Sequence, residues 1–402
     1  MLAASFPCHL HLAHSLSVAS LRIPSHTHNS INPGHSFRNQ ETNRMKIACL
    51  QFAPILGEVE RNIHHATAMV ANLKPEDVDV LVLPEMAFSG YVFTSKDHIR
   101  PYLEDANTGP SIQWAKAQAI RLNAHVQVGY PEKRIVNKTE PFKEEYYNSV
   151  AFVSPQGVLL NTYAKHFLYY TDENWAEEGP SFESMPVEGL GQVGFGICMD
   201  VNPYQFKTAF SDFEFSTFHM GQRSNLLLCS MAWNKGEEAP KKEKVVPKPK
   251  SEKSKARLEN QKDQRKDPGE SADDPRVAET EGGGGNDASS EVEEDEDEDE
   301  EEWEDELDEA EIEREALELQ YETIHYWAVR MSPFYKQQQQ QQAGGKEPFL
   351  ETHLAIANRV GTESGVLFVG SSCVIKLTKE GPELVGALPS DKEGILLVET
   401  SD

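Results

Sequence analysis

Few of the residues that mark a disulfide-stapled, metal-bound or membrane-embedded protein occur in this chain of 402 residues. Its five cysteines (Cys8, Cys49, Cys198, Cys229, Cys373) form no CxxC pair and are odd in number, so free thiols and a reducing compartment are expected. No apolar run approaches the ~20 residues that a membrane-spanning helix needs. Six of the 14 histidines fall before residue 45, and the other eight show no HExxH or similar spacing, so neither metal nor cofactor is implied. No GxSxG elbow supports a serine hydrolase, and GLGQVG (Gly189–Gly194) precedes a strand instead of opening a helix, which disqualifies it as a dinucleotide loop. Basic charge is short as well: 38 Lys and Arg stand against 66 Asp and Glu, a net charge of −28 that argues against nucleic acid as a partner. About twenty of those acids lie between Glu291 and Glu318, so the imbalance says little about the substrate.

What is present is a layered α/β pattern. Strands are expected at Lys46–Pro54, Val78–Glu85, His125–Pro131, within Tyr146–Lys165 on either side of a turn at Pro155-Gln156-Gly157, and at Val193–Asp200. Further strands follow at Ser224–Trp233, His353–Val360, Val366–Leu377 and Gly394–Thr400. Helices are expected at Arg61–Leu73, where Ile63, Ala66, Val70 and Leu73 share a face, at Ser111–Asn123, and at Leu317–Met331, with another between Asp200 and Ser224. Residues 1–44, rich in histidine and serine with Glu41 their one acid, read as a disordered leader, with a mitochondrial transit peptide as the alternative. The stretch from about Lys235 to Ala310, lysine-rich and then acidic, reads as a disordered insertion, and Gln337–Gly345 as a glutamine-rich loop, both within one domain spanning 45–402. Asn137-Lys138-Thr139 is a glycosylation sequon to which an intracellular chain gives no weight.

Three polar residues end apolar strands. Cys198 closes FGIC before the polar MDVNPY, Glu85 closes VLVLP, and Lys165 closes NTYAK. Each has an ordinary reading taken alone: a core thiol, an edge glutamate, a surface lysine whose stem covers apolar neighbours. Together they lie at strand carboxyl ends, where open α/β layers gather their sites, and they supply a nucleophile, a proton carrier and a positive group for an oxyanion. Cys49, Cys229 and Cys373 sit inside apolar strands and are read as core. Trp233 either lines the pocket or is an ordinary half-buried tryptophan.

LPEMAFSGY, YAKHFL, FGICMD and ANRVGTESGVLFVGSS resemble the carbon–nitrogen hydrolase (nitrilase) superfamily, from Met45 to about Trp233 and again from Leu317 onward. Order and intervals agree, with 80 positions from Glu85 to Lys165 and 33 from there to Cys198. The resemblance implies an α-β-β-α sandwich, a Glu–Lys–Cys triad of Glu85, Lys165 and Cys198, and an oxyanion held by Lys165 and the backbone N–H of Met199. It also implies a second acid in the loop after Lys165, for which Glu173 is chosen, with Asp172, Glu177 and Glu178 as rivals. KHFLYYTDENWAEEGP, GFGICMDVNPYQF, FEFSTF and CSMAWN look like the fungal N-terminal amidase branch. That branch implies deamidation of N-terminal Asn and Gln in peptides through a thioester, the opening step of an N-degron pathway. Asn202-Pro203 stands where many members carry an arginine. A small-molecule amidase and a non-catalytic scaffold are the competing readings. Expected partners are peptides, not membrane or nucleic acid, and the expected location is the cytoplasm, with nucleus or mitochondrion as alternatives.

Overall fold

The computed structural model describes residues 44–137, 143–236, 309–341 and 349–400. The expectations for the leader, the charged insertion from residue 237 onward, and Lys138-Thr139 of the sequon lie outside the described residues. The chain opens with β1 (Lys46–Gln51), α1 (Val59–Val70), β2 (Val80–Val82), α2 (Lys96–Ile99), α3 (Pro110–Leu122), β3 (His125–Asn137), β4 (Lys143–Val153) and β5 (Leu159–Ala164). It continues through β6 (Ser184–Val187), β7 (Gly191–Ile197), α4 (Glu214–Gly221) and β8 (Leu226–Met231). The last part holds α5 (Glu309–Arg330), α6 (Ser332–Gln341), β9 (Thr352–Asn358), β10 (Val360–Glu363), β11 (Val366–Val369), β12 (Cys373–Thr378), β13 (Gly381–Ala387) and β14 (Gly394–Glu399).

Two six-stranded sheets result, ordered β14-β1-β2-β3-β4-β5 and β13-β12-β9-β8-β7-β6. In each, three central strands run parallel (β1, β2, β3 and β7, β8, β9) and the outer pairs are antiparallel. Side-chain alternation along β1 sets the layering. Ile47 and Cys49 join the core shared with Leu227, Cys229 and Ile356 of the second sheet, while Ala48 and Leu50 pack with Ala66, Val70, Ala115 and Ala119 of α1 and α3. Phe215, Ile324, Trp327 and Phe334 of α4, α5 and α6 join the second sheet's core. The architecture is the expected α-β-β-α sandwich. Burial of each such Leu, Ile or Val contributes on the order of 1.5–3 kcal/mol.

Three local expectations are corrected. Val366–Leu377 is two strands, because Gly370 (φ +46°) and Ser371 (φ +62°) take left-handed backbone between β11 and β12. The glutamine run does not start as a loop: α6 carries it to Gln341, and residues 342–348 lie outside the described residues. On α1 the inward face includes Asn62, whose amide accepts from Ile55 N (2.9 Å) and donates to Ile55 O and Phe88 O (2.8 Å each).

Candidate active site

β2 ends at a turn that presents Glu85. Leu83 N bonds Gln127 O at 2.9 Å and Ala87 N bonds Gly129 O at 3.0 Å, so the turn lies over β3. A Cβ at Gly129 would stand 2.5 Å from Pro84 O and 2.7 Å from Glu85 Cα, which only glycine avoids. Met86 follows with φ +51°, completing the reversal. Glu85 is fully buried, and three donors meet it: Lys165 Nζ (2.6 Å) and Asn148 Nδ2 (2.7 Å) on Oε1, and Ala232 N (2.7 Å) on Oε2. A buried carboxylate persists only with such partners.

Lys165 follows β5, with its backbone N–H held by Asn148 O at 2.8 Å. Its ammonium is fully buried and donates to Glu85 Oε1 and to Asp172 Oδ2, each at 2.6 Å. The ring centre of Tyr91 lies 5.7 Å from Nζ. An ammonium has three donors, and these two bonds leave one. The second acid is therefore Asp172, a rival in the sequence, and the choice of Glu173 is corrected. Both belong to one 3₁₀ turn (Asp172–Asn174), which turns Asp172 inward to Lys165, Asn148 Nδ2 (3.0 Å) and Tyr169 N (3.0 Å) and leaves Glu173 exposed. Glu177 pairs with Lys96 (2.9 Å), and Glu178 accepts from Tyr204 Oη (2.8 Å).

Cys198 stands at the end of β7 with φ +39°, a left-handed backbone that a non-glycine residue adopts only when its surroundings impose it. Asp200 imposes it. Its fully buried carboxylate accepts from Ile197 N (2.8 Å), Phe167 N (2.8 Å), His166 N (3.1 Å) and Tyr163 Oη (2.7 Å). One side chain thus ties the cysteine turn to the strand end that carries Lys165. The Ala232 N–H that donates to Glu85 also faces the Cys198 thiol.

A small pocket of about 20 Å³ opens on the thiol, lined by Cys198, Met199, Asn202, Phe206, Ala232 and Trp233 among others. Trp233 does line it, and Met199, expected at the oxyanion, is there too. Asn148 and Tyr91 escaped the sequence reading. A lone Asn or Tyr inside an apolar strand or loop carries no pattern that would reveal it. A larger groove of about 440 Å³ elsewhere, rimmed by Glu315, Glu318 and Lys235, is not where the chemistry-bearing side chains meet.

Electrostatics follow from burial. Burial pushes the Glu85 carboxyl up, Asp172 adds to this, and Lys165 and Asn148 oppose it. Burial works against the Lys165 ammonium, but Asp172 and Glu85 outweigh it and hold its pKa above the ordinary lysine value. Burial, then Glu85, pushes the Cys198 thiol well above its usual range, against Lys165 and Ala232 N–H. The thiol therefore rests protonated and needs a base at the moment of attack. Together the site offers a thiol, a carboxylate with a raised proton affinity, and an ammonium with a spare donor: the parts of acyl transfer.

Comparison with known proteins agrees. Residues 46–207 match the carbon–nitrogen hydrolase family model. The match spans less than half of the chain, and with the relatives below it supports the class of enzymes that hydrolyse amide carbon–nitrogen bonds. Within that class it is similar to protein N-terminal amidase of Schizosaccharomyces pombe, 28% identical over 371 residues, covering 88% of this chain and 99% of that protein. It is 32% identical over 214 residues to protein N-terminal amidase of Saccharomyces cerevisiae, covering 47% of this chain and 45% of that one. The crystal structure of an N-terminal amidase with an Asn-Glu-Ala peptide shares the fold, with a TM-score of 0.60 and 23% identity over 89% of this chain and 97% of that one.

Proposed function

We propose that the protein deamidates N-terminal Asn and Gln residues of peptides and proteins to Asp and Glu, releasing ammonia. The observation that carries this is the enclosed Glu85–Lys165–Asp172 cluster against the Cys198 thiol, in a chain similar over 88% of its length to an N-terminal amidase. Cys198 attacks the side-chain carboxamide carbon while Glu85 takes the thiol proton. The third Lys165 donor and the backbone N–H of Met199 hold the oxyanion. Glu85 returns the proton to the departing nitrogen, ammonia leaves, and a thioester remains on Cys198. Glu85 then draws a proton from water, which attacks the thioester, and returns that proton to the departing Cys198 sulfur as the acid is freed. Asp172 and Asn148 keep the ammonium and the carboxylate in place throughout. The acidic N-terminus so created is the kind of signal an N-degron pathway consumes, and we assign the reaction to that first step.

The test uses peptides beginning with Asn, Gln or N-acetyl-Asn, and one with Asn internal, following ammonia and product mass. Release from the free N-terminal forms alone supports the proposal. Turnover of acetylated or simple amides supports a small-molecule amidase, and inertness towards all supports a scaffold.

A further inference from the structure

Asn202 is only 2% exposed and lines the thiol pocket. Its carboxamide oxygen accepts a 2.7 Å hydrogen bond from Tyr326 Oη. Its amide nitrogen has no partner among the described residues. That NH₂ is not sealed off from the pocket that Asn202 lines, so a ligand entering the pocket can supply its acceptor.

Tyr326 is itself fixed. Its ring packs 5.4 Å from Trp233 and 6.0 Å from Phe210. One turn later on α5, Arg330 is buried and bonds Val201 O (2.6 Å) and Phe210 O. Trp327 meets Trp233 edge-on at 5.7 Å. Helix α5 thus fastens both ends of the segment that carries Asn202. It lies beyond the 46–207 stretch that matches the general family model but inside the 88% of the chain that aligns with the S. pombe N-terminal amidase. The shared chemistry and the helix that orients Asn202 come from different parts of the chain.

We propose that Asn202, oriented by Tyr326, donates its free N–H to the backbone carbonyl oxygen of the substrate's first residue. This deepens the N-terminal amidase reading and rests on it. The scissile carboxamide oxygen is already served by Lys165 and Met199, so the next carbonyl of an N-terminal Asn or Gln is the acceptor left for a donor at this wall. The pair makes the enzyme demand a peptide carbonyl next to the residue it deamidates.

The experiment compares an Asn-Ala-Ala peptide with 3-aminobutanamide, which keeps the amine and the carboxamide but has a methyl where that carbonyl stands. The readout is the ratio of kcat/KM for the two substrates, in wild type, Asn202→Asp and Tyr326→Phe, with thermal unfolding of each. Asp keeps the shape and can accept from Tyr326 but offers no donor. The ratio should fall about 10- to 100-fold in Asn202→Asp and by less in Tyr326→Phe. A ratio unchanged within twofold, or raised in Asn202→Asp, overturns the proposal, whatever the absolute rates. If Asn202→Asp unfolds, the Tyr326→Phe ratio decides alone. Wild-type protein that ignores the peptide but cleaves small amides sinks the underlying reading, a result distinct from a failed ratio.

Discussion

Two buried carboxyl groups share one ammonium, and their mutual influence governs how residues at the site respond to change. Asp172 raises the proton affinity of Glu85. Glu85 must be ionised to take the thiol proton, so kcat/KM should climb with pH along a limb set by Glu85, above the ordinary carboxylate range. Removing the Asp172 charge lowers the Glu85 pKa, so Asp172→Asn should move that limb to lower pH. It should also cost on the order of 10²-fold in kcat, because Lys165 loses one of its two anchors. A pH–rate profile of the variant checks both. Three of the site residues were legible because each is an ionisable group ending an apolar run. Asp172 and Glu173 were not separable, since neighbours in one turn differ only in which way the backbone rotates them. Asn202 was visible as a departure from the family but without its Tyr326 partner, which lies 124 positions away.

At the scale of elements, helix α3 shows how a side chain outside the site sets pH behaviour. Glu104 accepts from Ser111 N (2.9 Å) and Ser111 Oγ (2.6 Å) in the helix's first turn. Burial pushes its carboxyl up to about 7, against those hydrogen bonds. A folded-state pKa above the unfolded value means the folded protein holds the proton more tightly. The stabilisation is therefore full below the unfolded pKa and is lost as pH rises through about 7. Wild-type Tm should fall more between pH 5 and pH 8 than that of Glu104→Gln, measured by calorimetry at both pH values. Elements themselves were legible in proportion to their burial. The buried central strands β1, β2, β7, β8 and β9 were marked by continuous apolar runs. β6 and β13 are outermost strands of mixed burial, with Pro186 and Pro382 among their residues, and no run marks them.

At the scale of the whole molecule, the described residues on either side of the charged insertion belong to one compact unit. Joining Gly236 to Glu309 through a flexible Gly-Ser linker of ~20 residues should therefore preserve the fold, because the entropy of closing a loop changes slowly with its length. We expect kcat/KM for an Asn-initiated peptide to stay within about twofold of the full chain, with Tm measured alongside. Which strands neighbour one another, and that two similar half-sandwiches meet face to face, was not written in any local run. The pairing of β1 with β14 joins residues more than 340 positions apart. Only the family resemblance supplied that layout in advance.

Everything in the mechanism passes through the sulfur of Cys198. The decisive measurement is ammonia release from an Asn-initiated peptide by Cys198→Ala, with circular dichroism confirming that it is folded. A rate lower by at least ~10⁴-fold in a folded protein is the predicted result. A folded variant that retains the rate within about tenfold would contradict the account.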